Sequence, residues 1–315
     1  MSKRSFEAIN YMLRPNKNVE RKLIVATLKK LQPQFDIPKF RYVGFGSMWF
    51  SDFVLVHRYL NICDLITIEN QKSRKKRVEF NKPFACIEVR MDEAAIALGD
   101  VLDGKQSIVW LDYDGPLKSA MTGDLETAVG EMVSGSMLLV SVNASVDQLR
   151  NQKLQGEEVE ANVYLADICE NEELLNSELR LTANEFPALA AQILHDRIKS
   201  AVLEKKPGCE YVPIWSYRYA DGVTMVTVGG MIADHMDRDK LRASDASTFA
   251  AATGRELFDI DLPVLTEKEK RALDKLLPSE EGLDPRRLEF ELRPSEVAAY
   301  QRFYLEYPIF GELVG

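Results

Sequence analysis

A chain of 315 residues that is 46% hydrophobic and 28% charged has material for two domains or one large one, and is too apolar to be disordered. No apolar run reaches the length of a membrane span, the start MSKRSFEAIN lacks the apolar stretch of a secretory signal, and four scattered cysteines with three separated histidines argue against a disulfide framework or a metal site, so a cytoplasmic protein with no membrane contact is expected. The net charge of −9 hides an asymmetry, because residues 1–82 hold 17 Lys and Arg against 7 Asp and Glu, which predicts an anionic ligand or partner near that end.

In chain order, FEAINYML (6–13) and VERKLIVATLKKL (19–31) place apolar residues at helical spacing. RPNKN breaks them, with Asn18 the expected N-cap of the second helix. Residues 1–37 thus read as a basic helical segment carrying Arg14, Lys17, Arg21 and Lys22. From Phe40 the period changes. FRYVGFGS, DLITIEN, FACIEVRMD, SIVWLDYD and SMLLVSVNA read as five buried strands, separated by helical SDFVLVHRYL, SRKKRVEFN, DEAAIALGDVL and GDLETAVGEMV. Strands alternating with helices of this length predict an α/β, doubly wound, mostly parallel sheet over residues 38–240.

Residues 147–206 are helical in pattern and stop at Pro207-Gly208. Two β-rich arms then flank Asp221-Gly222, a hairpin signal, and the antiparallel pair is expected to complete the sheet. Residues 241–315 read as a small helical appendage. There Thr266 and Glu269 have capping-box spacing, and SEVAAYQRFYLEYPIF is an aromatic amphipathic segment that would pack on the sheet or on a protein partner.

Ligands of open parallel sheets bind outside the carboxyl ends of the strands, and here those ends are polar or glycine-rich. Gly44-Phe45-Gly46-Ser47 ends the first strand, where glycines let a ligand approach the backbone. Glu69 ends the second, placed for ribose hydroxyls. Asp92 follows the third, either an adenine contact or a helix cap. The fourth yields Asp112-Tyr113-Asp114-Gly115-Pro116, two carboxylates beside an aromatic ring where unpaired charge is rarely buried.

The order GFGS, ITIEN, VRMDEAAIAL, WLDYDGPL, LLVSVNA, with the hairpin at 211–232, resembles the Rossmann-like S-adenosylmethionine-dependent methyltransferases over about residues 38–235. LDYDGP is also similar to the strand-four motif of RNA guanosine N-methyltransferases and of the three-Cys-motif partner proteins of bacterial gene clusters. The resemblance implies S-adenosylmethionine as cofactor, with Gly44, Phe45, Gly46 and Ser47 around its methionine, Glu69 at the ribose and Asp92 at the adenine amine. It implies that Asp112, with Tyr113 and Asp114, faces the methyl group and the acceptor. One departure stands out: the acid usual two positions before the first glycine is replaced by Tyr42.

The run Lys72, Arg74, Lys75, Lys76, Arg77 covers one helix side. With Arg14, Lys17 and Arg21 it would form a phosphate track for RNA or DNA, against the plainer reading of a solvated face. The expectation is a methyltransferase acting on a nucleic acid or another large anionic acceptor. A non-catalytic interaction subunit of a bacterial multi-protein system and a small-molecule O- or N-methyltransferase are the alternatives. His57, Trp215, Tyr217 and Met225 read as packing residues, Cys63 and Cys86 as small hydrophobes.

Overall fold

A computed structural model of the chain describes residues 14–149, 153–154, 157–169, 181–244, 249 and 251–308. The helix predicted over residues 6–13 lies outside them. The predicted strands are β1 (Arg41–Gly44), β2 (Asp64–Ile68), β3 (Ile87–Arg90), β4 (Ser107–Pro116) and β5 (Met137–Asn143). After a short ribbon, β6 (Lys153–Leu154) with β7 (Glu157–Glu158), come the hairpin arms β8 (Glu210–Ala220) and β9 (Thr224–Ala233), then β10 (Phe258–Ile260). Eight of them build one sheet in the order β10-β8-β9-β5-β4-β1-β2-β3. Only β9 runs against its neighbours, inserted between β5 and β8. This is the mostly parallel, Rossmann-like arrangement expected of a methyltransferase-type sheet. β10 is an addition: the tail read as purely helical donates a parallel edge strand to β8.

Side chains alternate across the sheet with a period of two. Tyr42, Trp110, Leu139 and Trp215 enter one core, under α1 (Pro15–Leu31) and α2 (Ser51–Leu60). Val43, Val109, Leu111, Leu138 and Val140 enter the other, against α4 (Ala94–Val101), α5 (Ser119–Glu131), α6 (Ala161–Cys169) and α7 (Glu185–Lys205). The short α3 (Lys75–Phe80) follows β2. Beyond the hairpin lie α8 (His235–Arg242), α9 (Glu267–Asp274) and α10 (Pro294–Phe303). Among the described residues no helix is long and apolar enough to cross a membrane.

The three predicted stretches share these cores. Val19, Leu23, Ile24 and Leu28 of α1 lie in one cluster with Trp215 and Tyr217 of β8 and with Ile260, Leu262 and Phe303 of the tail. The described residues of 1–37 and 241–315 therefore contribute side chains to the sheet's own core. The tail's aromatic stripe follows suit: Tyr300 and Phe303 are buried, and the Arg302 guanidinium stacks 3.7 Å from the Phe258 ring.

The start of α1 corrects another expectation. Asn18 lies inside the helix, which begins at Pro15. The orphan amides of Asn16 and Lys17 donate instead to the Asp221 carboxylate, at 3.1 and 2.8 Å, from the hairpin turn 205 and 204 residues away. Cys63 is also not the small hydrophobe expected. It is exposed, and its Sγ lies 4.0 Å from His57 Nδ1, with Cys86 Sγ at 3.9 Å.

Candidate active site

The strand order reverses at β1, which pairs with β2 on one side and β4 on the other. Gly44 is level with Thr67 and with Trp110, so the chains leaving these strands splay apart at one place. A cavity of about 600 Å³ opens there, lined by the ends of β1, β2, β3 and β4 and by Arg21 from α1.

Beside β2 and β3 the cavity wall holds Glu69 and Asp92, as the sequence predicts. Glu69 is half-buried and Oε1 accepts the Gln71 amide at 3.0 Å. Asp92 lies 3.8 Å from Lys72 Nζ. Phe45, Gly46 and Ser47 line the cavity too. Their glycines serve packing more than ligand approach. A Cβ on Gly46 would stand 2.8 Å from both Phe50 and Thr67, and a Cβ on Gly44 would stand 3.1 Å from the Tyr42 hydroxyl. The Gly46 amide is already used, donating to Thr67 Oγ1 at 2.9 Å. The loop is wound tightly, with Ser47 and Phe50 both left-handed at φ of 48° and 49°.

Toward β4 lies a buried ionic network. Lys17 Nζ meets Asp112 Oδ1 at 2.7 Å, Glu20 Oε2 at 2.8 Å and the Tyr219 hydroxyl at 2.9 Å, which uses all three of its protons. Glu20 in turn accepts from Thr227, which shares a 2.7 Å hydrogen bond with Ser141. Burial alone would depress the Lys17 ammonium, yet Asp112 and Glu20 hold it above the usual lysine range. Burial would likewise raise the Asp112 carboxyl, but Lys17 and Arg21 hold it below the usual carboxylate value. Asp112 is thus a fixed negative charge on the cavity floor and a poor proton acceptor.

The Tyr42 departure finds its explanation here. Tyr42 is 1% exposed and donates its hydroxyl to Asp52, in the first turn of α2. Asp52 lines the cavity, so a carboxylate ten residues later occupies the wall where the strand carries none. Burial raises its pKa, opposed by Arg21 and by the Tyr42 hydrogen bond. Arg21 is 4% exposed, and its Nε is buried without a hydrogen-bond partner.

On the open side, Tyr113 packs edge-on against Phe45 and donates to Asp124 Oδ2 at 2.6 Å. Burial and the nearby Glu93 push the Asp124 carboxyl upward, against the pull of that hydrogen bond. Asp114 is exposed at the rim.

The predicted phosphate track does not assemble. Lys17 and Arg21 are buried and Arg14 is half-buried, whereas Lys75 and Arg77 are exposed on α3. Asp52 and Asp124, which share the cavity with the predicted residues, were not singled out in the sequence. Asp52 alone left a signal, as an acid in the first turn of the helix after the glycine loop.

Solved structures similar to this chain include Trm1 from Pyrococcus horikoshii in complex with S-adenosyl-L-methionine, 13% identical, covering 76% of this chain and 61% of that one with a TM-score of 0.46. PigF with SAH is 14% identical, covering 69% of this chain and 64% of that one, TM-score 0.35. LepI with SAH and a substrate analogue is 16% identical, covering 62% and 43%, TM-score 0.33. The chain thus spans less than two thirds of each of these proteins. No curated protein matches it. The family model described as "Putative O-methyltransferase" matches residues 9–314, and the chain belongs to that family.

Proposed function

We propose that this protein transfers a methyl group from S-adenosylmethionine to a hydroxyl oxygen of an acceptor that is not a polyanion. The observation that carries the reading is the cavity at the strand-order reversal, with Glu69 and Asp92 at one end and Asp52, Arg21 and Asp112 at the other. The residues fit the cofactor. A strand-end carboxylate suits ribose hydroxyls, and a buried guanidinium with an unpartnered Nε beside two carboxylates suits an amino-acid zwitterion. When bound, the cofactor supplies an electrophilic methyl group on a sulfonium.

The chain's own residues then have to orient, screen and take up a proton. Asp112, held ionised by Lys17, lowers the energy of positive charge above the floor. Asp124, held by Tyr113 on the open side and raised in pKa, is the carboxylate suited to receive the acceptor's hydroxyl proton. The cavity wall bears seven carboxylates (Asp52, Glu69, Asp92, Glu93, Asp112, Asp114, Asp124) against one guanidinium. Such a surface attracts neutral or cationic molecules and repels phosphates.

Titration calorimetry with S-adenosylhomocysteine tests this. Heat of binding is expected for the wild type, with at least about a tenfold loss of affinity in Glu69→Ala. Absence of heat from folded wild type would leave only the scaffold reading. A nucleic-acid acceptor remains as a second reading, favoured by the exposed Lys72, Lys75, Lys76 and Arg77. Salt-sensitive RNA binding by the wild type would support it.

A further inference from the structure

The four cysteines are free, and two of them meet at the end of the sheet away from the cavity. Leu65 of β2 is level with Ile87 of β3, and Ile66 with Glu88. Taken back along both chains, that register puts Cys86 beside Asp64 and makes Cys63 its diagonal neighbour. Strands stand about 4.8 Å apart and rise about 3.3 Å per residue, so the two Cα atoms are roughly 6 Å apart. A disulfide spans Cα separations of about 4.4–6.8 Å. Chain distance hid the pair, which only the parallel pairing of β2 with β3 brings together.

The side chains converge as well. His57, in the last turn of α2, has Nδ1 2.8 Å from the Ile62 carbonyl, 4.0 Å from Cys63 Sγ and 3.9 Å from Cys86 Sγ. Two sulfurs that share one nitrogen stand on the same face of the sheet, so closing the pair takes side-chain rotation and not movement of strands. Cys63 is exposed, and its Sγ has a weak 3.8 Å contact to the Asn61 carbonyl that rotation gives up easily. Cys86 is half-buried against the core under α2. Burial, and then the Cys63 sulfur, push the Cys86 thiol up, so the two groups feel one another's charge. Cys169 and Cys209 pack on the other core, across the sheet, and do not compete.

We infer that Cys63 and Cys86 are a thiol pair that a peroxide converts to a reversible disulfide, fastening the edge strand β3 to β2. The exposed Cys63 sulfur, as thiolate, attacks one peroxide oxygen and the O–O bond breaks. Cys63 becomes a sulfenic acid, and the other oxygen leaves with the thiol's proton as water. The Cys86 sulfur then attacks the Cys63 sulfur, the S–O bond breaks, and a second water leaves with the Cys86 proton. The thiol pair loses two electrons and one peroxide is reduced to two waters. Strand β3 is last in the sheet and has a neighbour on one side only, yet it runs into Asp92 of the cavity wall. The bond closes that edge while leaving Glu69 and Asp92, at the far ends of the same strands, in place. None of this depends on the methyl-transfer reading of the cavity.

The test is oxidation of the full chain with hydrogen peroxide, then alkylation of the remaining thiols, digestion without reductant and mass spectrometry. A peptide pair joined through Cys63 and Cys86 is expected, lighter by two hydrogens and released by dithiothreitol. In Cys86→Ser the reaction should stop at the sulfenic acid, and dimedone should label Cys63. The linked wild type should unfold at a higher urea midpoint than the reduced form, with the ratio of unfolded to folded protein lowered at least about tenfold at a given urea concentration. Cys63 carried to the sulfinic acid with no linked peptide, or a link made only between chains, overturns the inference. So does a linked protein whose midpoint does not rise. Should Cys86→Ser fail to fold, Cys63→Ser, which replaces an exposed side chain, must abolish the linked peptide.

Discussion

His195 is buried on α7, 1% exposed, with Nδ1 sharing a 2.9 Å hydrogen bond with the Tyr211 hydroxyl and Nε2 without a partner. Burial, helped by Arg255, pushes its pKa from 6.5 down to about 4. The folded protein therefore keeps this imidazole neutral while the unfolded chain takes up a proton below pH 6.5. Stability falls as pH drops through that window, is lost down to the folded value, and is flat above it. The difference is worth at most about 3 kcal/mol. Urea unfolding at about pH 7 and about pH 4.5 should show a smaller acid loss in His195→Gln than in wild type. Equal losses would remove His195 from the account. The same scale shows what the sequence could reveal. Glu69 and Asp112 were legible because their position at strand ends is local information. The burial of Lys17, read from the sequence as part of a phosphate track, depends on Asp112 and Tyr219, contributed by strands about a hundred and two hundred residues away. Asp124 was silent: nothing near it in the chain announces Tyr113.

Helix α1 owes its start to a different element. The Asp221 carboxylate accepts two of its orphan amides, and Asn16 answers with Nδ2 donated to the Ala220 carbonyl at 2.9 Å. Asn16 Oδ1 also accepts the Leu262 amide at 2.9 Å, which ties the tail to the same turn. Asp221→Ala keeps Gly222, whose φ of 103° the turn requires, and removes only the cap. The expected cost is about 1–2 kcal/mol, read as a lower urea midpoint at unchanged slope. No change would mean that water replaces the carboxylate at no cost. Among the described residues, elements with a periodic signal were legible: the five strands, α2, α7 and the hairpin were predicted close to where they lie. The capping box also formed as spaced, with Glu269 and Thr266 satisfying each other's backbone. The start of α1 and β10 were not, since one is capped across the fold and the other is three residues that become a strand only by pairing with Tyr217, Arg218 and Tyr219.

At the scale of the molecule, described residues of the front segment and of the tail meet the sheet in one cluster. Phe303, 3% exposed on α10, packs edge-on to Phe258 of β10 at 5.8 Å between ring centres. Phe258 in turn meets Tyr217 of β8, also at 5.8 Å, and Tyr217 lies in the cluster that holds α1. Lys22 of α1 donates to the Glu306 carbonyl at 2.8 Å, so the tail also grips the helix that presents Arg21 to the cavity. An independent appendage would unfold by itself and leave the sheet intact. A shared core must unfold as one. Phe303→Ala is therefore expected to destabilise the whole chain by about 3–5 kcal/mol. Tryptophan fluorescence, which reports on buried Trp110 and Trp215, and far-ultraviolet circular dichroism should shift together to one lower midpoint. An unchanged tryptophan transition, or one that separates from the helical signal, would make the tail a unit of its own and would detach α1's support from the sheet.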